Sequence, residues 1–189
     1  MIGRDEGGAA ALEMALILPA FAGMLLGFLD FAYTSYVRSA TTGALEQVAR
    51  SSGVGATADP TVAEKAIVEA TVKKIAADAT FTWDKKSYFQ FSGINKPEKL
   101  TDDKNANGKY DAGDCWEDLN PNNKYDTSPG RDGIGGADDI VFYKVKVDFA
   151  PLVDISGLFP FITKTRTVNA STIIKRQPFA AQAVPTVRC

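Results

Sequence analysis

The residues best suited to chemistry lie in an Asp-, Asn- and Gly-rich stretch, residues 102–139. It contains a near repeat, DKNANGKYD and then DLNPNNKYD, whose copies begin 15 residues apart at Asp103 and Asp118. Oxygen-bearing side chains stand at positions 1, 3, 5 and 9 of each copy, and position 6 is Gly108 or Asn123. Calcium loops have this spacing, because alternate residues converge on one ion and position 6 takes a positive φ.

The repeat therefore predicts two calcium sites, each an oxygen cage. Asp114 falls at position 12 of the first copy, where such loops place their last carboxylate. Pro129 occupies that position in the second copy, so a later aspartate, Asp132, Asp138 or Asp139, is expected to complete it. The predicted ligands of the first site are Asp103, Asn105, Asn107, the backbone carbonyl of Lys109, Asp111 and Asp114. Those of the second are Asp118, Asn120, Asn122, the carbonyl of Lys124, Asp126 and one of the later aspartates.

The alternative interpretation of this stretch is a solvated region of Asn/Asp turns that binds no ion. Outside the cell, calcium would fill even a weak site with a dissociation constant of about 10⁻⁴–10⁻³ M. The ion would then act as a structural staple, since binding to the folded form offsets the entropy lost in ordering a long loop.

Other kinds of chemistry are poorly represented in the chain. Histidine is absent among the 189 residues, which removes His-based triads, His-ligated zinc and the usual general base near neutral pH. No Gly-rich loop has the spacing of a phosphate-binding motif. The net charge is −2 without a basic stripe, so neither an enzyme nor a nucleic-acid binder is expected.

The N-terminal segment predicts a membrane span. From Ala9 to about Tyr33 the sequence is almost wholly apolar, and a helix of that length rises roughly 37 Å, enough to cross a hydrocarbon core of about 30 Å. The small residues that could mark a cleavage site precede the apolar run, unlike those of a signal peptide. Two acids interrupt the run. Asp30 lies near its far end, where lipid headgroups could solvate it, whereas Glu13 lies one turn inside the helix and needs a partner.

The residues GAAALEMAL, from Gly8 to Leu16, followed by Pro19 and Asp30-Phe31, resemble the start of TadE-like minor pilins of the tight-adherence (Tad, type IVc) pilus. The resemblance implies that a prepilin peptidase cuts after Gly8, that Ala9 becomes the new N-terminus, and that Glu13, then the fifth residue, guides assembly. Met14 departs from the Phe common at that position, but it is similarly apolar. The C-terminal sequence around Arg176-Gln177-Pro178 is also similar to the end of TadE-like proteins.

This resemblance implies a structural minor pilin that primes or joins the filament, with the tip as one implied position. Its implied partners are the membrane, other pilin subunits, the pilus assembly platform and the prepilin peptidase. The implied location is the bacterial inner membrane with a periplasmic C-terminal domain, and then the extracellular pilus. Two alternatives remain open: a permanently anchored periplasmic calcium-binding module that recognises a ligand, and a type II secretion pseudopilin.

The cysteines match no metal-ligand spacing. Cys115 and Cys189 both follow the predicted span, so in an oxidising periplasm they are expected to form one disulfide. An intermolecular bond through Cys189 is the competing possibility.

The rest of the sequence predicts an α+β domain. Apolar residues continue at helical spacing to Arg50, and a second amphipathic helix is expected from about Pro60 to Ala79, after an N-cap at Asp59. Strands are expected in the aromatic segments between Phe81 and Phe91, in the alternating segment 140–149, and in residues 163–175, which gives an antiparallel sheet of three or four strands. The predicted organisation is a leader, residues 1–8, a helix, residues 9–50 with its span at about 9–33, and an extracytoplasmic domain, residues 51–189.

Overall fold

The computed structural model describes residues 7–52, 61–154, 156–157, 162–177, 181–182 and 184–189, without the side chains of residues 7, 9, 52 and 61–63. The first six residues of the predicted leader and the predicted break and N-cap near Asp59 therefore lie outside the described residues. The helices are α1 (Gly7–Ser52) and α2 (Thr61–Lys73), with a 3-10 turn at Phe91–Gly93. The strands are β1 (Thr80–Tyr88), β2 (Leu100–Asp102), β3 (Cys115–Asp118), β4 (Arg131–Asp132), β5 (Ile140–Phe149), β6 (Arg166–Lys175) and β7 (Thr186–Arg188).

The main sheet is antiparallel and has the strand order β4-β1-β5-β6. Its central strand β5 alternates as the sequence predicts, since Val141, Tyr143, Val145, Val147 and Phe149 are all buried. Both helices pack on that face, where α1 contributes Val37, Leu45 and Val48 and α2 contributes Val68 and Val72. The α+β fold class is therefore confirmed.

Several element boundaries differ from those expected. The second helix ends at Lys73, because residues 74–79 turn back toward the sheet, although Ala79 is still buried against the core. Of the aromatic segments expected as strands, the first lies in β1, which pairs with β5 along its whole length. The second was wrong, because β1 ends at Tyr88 and a 3-10 turn begins at Phe91. The strand expected from Thr163 begins at Arg166.

A second, smaller sheet was not anticipated. It has the order β2-β3-β7 and brings the C-terminal strand beside the Asp/Asn-rich stretch. Trp116 of β3 lies opposite Arg188 of β7, and Cys115 forms a disulfide with Cys189. The predicted intramolecular pairing of the cysteines is thus present, and it joins Cys189, just after β7, to the strand between the two repeats.

Candidate functional site

The N-terminal half of α1 is an apolar surface that the domain does not cover. Leu12, Leu16 and Phe28 are each about two-thirds exposed or more (67%, 73% and 68%), and Gly8 and Glu13 are exposed too. No residue in the most apolar window of the helix is buried, and by length and composition α1 could cross a membrane. Exposed apolar patches of this size mark interaction sites or membrane contacts. This half of the helix therefore has the character of a surface that a membrane or another protein covers.

At Asp30, α1 is hydrogen-bonded to the rest of the domain. Its Oδ2 accepts a hydrogen bond from Arg166 Nε at 2.8 Å, and its Oδ1 accepts one from the backbone N–H of Leu152 at 3.2 Å. Three residues further on, the hydroxyl of Tyr33 donates to the carbonyl of Ile75 at 3.3 Å, and its ring meets the edge of Phe149. The carboxylate of Asp30 is therefore neutralised within the chain, whereas the sequence suggested solvation by lipid headgroups.

The first repeat folds around two carboxylates. The side chain of Asp103 accepts hydrogen bonds from the backbone N–H groups of Asn107 at 3.4 Å and Gly108 at 2.7 Å. Oδ2 of Asp111 accepts from the side-chain amides of both Asn105 and Asn107 at 2.8 Å. These amide bonds lower the pKa of the Asp111 carboxyl. Gly108, at position 6, has the positive φ expected there, 73°.

The second repeat makes the same contacts 15 residues later. Asp118 accepts from the backbone N–H groups of Asn122 at 3.2 Å and Asn123 at 3.1 Å. Oδ2 of Asp126 accepts from the side-chain amides of Asn120 and Asn122 at 2.6 Å. Asn123 takes the positive φ of position 6, 61°. The backbone N–H groups of Lys109 and Lys124 also donate to equivalent acceptors, the side-chain oxygens of Asn107 and Asn122.

The closing carboxylates come from different parts of the chain. In the first repeat, Asp114 accepts hydrogen bonds from the N–H groups at positions 2 and 9, those of Lys104 at 3.1 Å and Asp111 at 2.8 Å. In the second repeat the equivalent N–H groups, those of Leu119 and Asp126, donate to Glu98 at 2.7 and 2.9 Å. Glu98 therefore occupies the place that Asp114 occupies in the first repeat.

The sequence offered no local signal for Glu98, because it precedes both repeats and belongs to no motif. Glu98 lies in the segment that leads into β2. Because β2 pairs with β3, this segment lies beside the second repeat. The only hint was negative: the second copy has Pro129 where the closing carboxylate should stand, so some distant acid had to replace it.

The three aspartates that the sequence proposed for that role have other partners. Asp132 is almost fully exposed and lies 3.9 Å from Lys86 Nζ. Asp138 pairs with Lys175 at 2.8 Å. Asp139 is buried and accepts from the side chains of Arg131 and Gln182 and from the N–H of Gly136. Among the described residues, Glu98 is thus the acid that closes the second repeat.

The buried carboxylates concentrate negative charge at the second repeat. Glu98 and Asp118 are 2% and 1% exposed, and Arg188 Nε lies 3.3 Å from Asp118 Oδ2. Burial raises the pKa of Glu98 above its ordinary value, and the neighbouring charges of Asp118 and Asp126 raise it further. Hydrogen bonds from the backbone of Asp126 and Leu119 counter part of that rise. A cation placed here would relieve the repulsion among these carboxylates.

The donor set fits a hard cation such as Ca²⁺, although no group of three or more Asp, Glu or Cys side chains in the described part of the chain is arranged as a metal cluster. Each repeat instead mixes carboxylates with amides that converge on one acid. Rotating these amides about χ2 exchanges nitrogen for oxygen and would offer neutral oxygen ligands. Oδ1 of Asn120 is buried and has no hydrogen-bond partner among the described residues, so no hydrogen bond to this oxygen opposes such a rotation.

The two repeats are held together by an aromatic cluster. Tyr110 and Tyr125, at position 8 of the two copies, stack with ring centroids 4.3 Å apart and planes 6° from parallel. The indole of Trp116 meets both rings edge-on, at 5.2 and 6.4 Å. The repeats therefore form one paired unit.

Comparison with known proteins gives information about α1. A family model described as "TadE: TadE-like protein" matches residues 8–50, which are nearly all of that helix. No curated protein and no solved structure matches the chain. The TadE-like family is a structural, pilin-type family rather than an enzymatic one. Residues 8–50 of this chain are therefore TadE-like, which indicates a pilin-like protein associated with a Tad pilus.

Proposed function

We propose that this chain is a structural minor pilin of a type IVc (Tad) pilus. In this proposal a prepilin peptidase cuts between Gly8 and Ala9, the mature helix anchors the subunit in the membrane, and the subunit then joins or primes the filament. The observation that carries the proposal is the exposed apolar half of α1, which lies within the TadE-like segment and which the domain leaves bare.

Glu13 would guide assembly through its charge. A carboxylate at membrane depth costs on the order of 2.5–3.5 kcal/mol by insertion scales, so it favours any state that supplies a cationic partner. Cleavage after Gly8 would create an α-ammonium at Ala9, and the one on a neighbouring subunit would provide that partner. The pairing offsets the cost of burying the Glu13 carboxylate only in the filament. Movement of the subunit from lipid into the filament would therefore be favoured over the reverse.

The location follows from the same proposal. The domain would lie in the periplasm while the helix remains in the inner membrane, and it would reach the cell surface with the pilus. The Cys115–Cys189 disulfide supports this location, because such bonds persist in oxidising compartments. The expected partners are other pilin subunits, the assembly platform and the prepilin peptidase.

Fractionation of cells that make Tad pili tests this function. The chain should appear in filaments sheared from the surface, and a Gly8→Phe variant, expected to resist cleavage, should remain in the membrane. A Gly43→Phe variant, at a glycine with open space in the packed half of α1, is the matched control and should reach the filament. A permanently anchored ligand-binding module predicts membrane retention of all three proteins, and a type II secretion pseudopilin predicts none in Tad filaments.

We further propose that the two repeats bind structural Ca²⁺. The first site would use Asp103, Asn105, Asn107, Asp111, Asp114 and the carbonyl of Lys109. The second would use Asp118, Asn120, Asn122, Asp126, the carbonyl of Lys124 and, as its closing ligand, Glu98. Support comes from the matching hydrogen bonds in both copies, the positive φ at position 6, the buried carboxylates and the unpartnered oxygen of Asn120.

Terbium luminescence tests the calcium proposal, because Trp116 and the stacked tyrosines lie beside both repeats and can sensitise a bound Tb³⁺. The folded protein should give saturable emission that millimolar Ca²⁺ displaces. Asp103→Ala should remove the first site and Glu98→Gln the second, whereas Asp132→Ala, at an exposed acid, should remove neither. Two results would identify the repeats as polar turns that bind no calcium: Tb³⁺ emission that Ca²⁺ does not reduce, or emission that remains in the Asp103→Ala, Glu98→Gln double variant.

A further inference from the structure

The connection between β5 and β6 leaves the sheet beside α1, at the level of Asp30. Its first residues include Leu152 and Val153, which are 52% and 38% exposed although both are apolar. The backbone N–H of Leu152 donates to Oδ1 of Asp30. This exposed apolar pair is therefore fixed against the helix, at the boundary between its bare and its packed halves.

Arg166 fixes the far end of the same connection. Its Nε pairs with Asp30, while its Nη1 donates to the carbonyl and the hydroxyl oxygen of Thr163 at 3.2 and 3.1 Å. Both ends of the connection are thus tied to one carboxylate on α1. The ion pair leaves no net charge at this point, which makes it compatible with a position close to lipid.

The height of Asp30 along the helix is informative. Between Ala9 and Asp30 the helix rises about 31 Å, close to the roughly 30 Å thickness of a hydrocarbon core. Phe28 and Phe31, on either side of Asp30, are exposed on the helix surface. If Ala9 stands at one boundary of the hydrocarbon, Asp30 and the attached Leu152 stand at the other.

We propose that Leu152 and Val153 form a surface that contacts membrane lipid at the boundary between acyl chains and headgroups, at the same level along the helix as the exposed Phe28 and Phe31. The inference rests on the proposed membrane insertion of α1 and adds a second lipid contact, made by the domain itself. Lipid is the occupant because the surface is continuous with the helix that enters the membrane. Two attachment points would hold the domain in one orientation on the bilayer, and extraction into a filament would have to break both.

Photo-crosslinking of the full-length chain in nanodiscs of phosphatidylcholine and phosphatidylglycerol tests this surface. A diazirine-bearing leucine analogue is placed at Leu152, at Phe28 as the marker of the span, or at Val187. The last is a control in the small sheet whose exposure, 59%, lies between those of Leu152 and Phe28. Lipid adducts, measured by mass spectrometry, should be abundant at positions 28 and 152 and severalfold rarer at position 187.

The outcomes separate the inference from the function on which it rests. Adducts at position 28 with only the control level at position 152 would overturn the lipid contact while leaving the span intact. Protein–protein adducts at position 152 would overturn it as well and assign the surface to a second subunit. Control-level adducts at position 28 would refute membrane insertion itself.

A second variant tests the tie to Asp30. Arg166→Gln removes the charge that fixes the connection, so lipid adducts at position 152 should fall severalfold while those at position 28 stay unchanged. Retention of the Cys115–Cys189 disulfide on a non-reducing gel serves as the folding control. Adducts at position 152 that equal those of the unmodified chain, in a folded variant, would show that the ion pair does not place this surface.

Discussion

The two halves of α1 differ both in composition and in surroundings. From Tyr33 to Ala49 one face of the helix is buried against the sheet and α2, with Val37, Leu45 and Val48 almost fully enclosed. From Gly8 to Leu29 the side chains on every face remain accessible, apart from the partly covered Leu26 and the undescribed side chain of Ala9. A domain packed on one side can bury a helix whose apolar residues lie on one face, but it cannot bury a helix that is apolar on every face. Under the proposed function, lipid covers the bare half before assembly and other subunits cover it afterwards.

The largest expected effect comes from a charge in the bare half. Glu13→Leu should leave membrane insertion intact and abolish or strongly reduce incorporation into filaments, because the charge that favours leaving lipid is lost. Glu46→Leu, at an exposed glutamate in the packed half, is the matched control and should assemble normally. Counting the subunit in sheared filaments measures the difference. Equal incorporation of the two variants would remove the distinction between the halves.

Truncations of leucine should show the reverse asymmetry. Leu45→Ala should lower the free energy of unfolding of the domain by about 2–5 kcal/mol, because Leu45 is fully buried and leaves a cavity. Leu16→Ala, in the bare half, should change it by no more than about 0.5 kcal/mol. Denaturant unfolding followed by the fluorescence of Trp83, which packs against the core, provides the measurement. Similar losses in both variants would mean that the domain also covers the bare half.

The junction between the halves should give an intermediate effect. Asp30→Ala removes the partners of Arg166 and of the Leu152 N–H, and should cost about 1–2 kcal/mol, since the pair is partly screened by solvent. Asp154→Ala is the control, because that exposed acid accepts a hydrogen bond from the backbone of nearby Ser156 and does not contact α1 through any hydrogen bond among the described residues, so the change should cost less than about 0.5 kcal/mol. If the two substitutions prove equal in the same unfolding assay, Asp30 is not a structural junction.

Calcium should act on the domain alone and should have the smallest effect. At a concentration near the dissociation constant, each site should stabilise the domain by about 0.4 kcal/mol, so the two sites together should give about 0.8 kcal/mol, or a few degrees in melting temperature. EGTA should also expose residues 102–139 to protease, while amide exchange in the bare half of α1 in nanodiscs stays constant. A melting temperature and a digestion pattern that do not respond to EGTA would contradict a structural role for calcium.

Periodic patterns predicted much of the fold. Alternation along β5 and helical spacing in α1 and α2 identified the buried Val141, Val145, Leu45 and Val68, because burial on one face repeats with the geometry of the element. Boundaries were less accurate, since local turns, not periodicity, decide where β6 begins and α2 ends. Spacing also does not decide burial residue by residue, since Tyr36, one of the apolar residues before Arg50, is 60% exposed.

Contacts between distant segments could not be predicted in this way. The repeats revealed the conformation of each loop, including the positive φ at Gly108 and Asn123, because those contacts are local. The role of Glu98 and the small sheet depends on the path of the chain between β1 and β3, which no periodic pattern encodes. The partner of Asp30 was missed for the same reason, since Arg166 lies in the last long strand. Calcium binding itself stays a prediction.

The identity of the mature N-terminus tests the proposed function most directly. The chain, extracted from membranes of cells with and without a prepilin peptidase, would be digested and its N-terminal peptide identified by mass spectrometry. A minor pilin predicts a peptide that begins at Ala9, with Glu13 as its fifth residue, in cells that have the peptidase, and the uncut N-terminus in cells that lack it. An uncut N-terminus in both strains would contradict the pilin assignment and leave a permanently anchored protein.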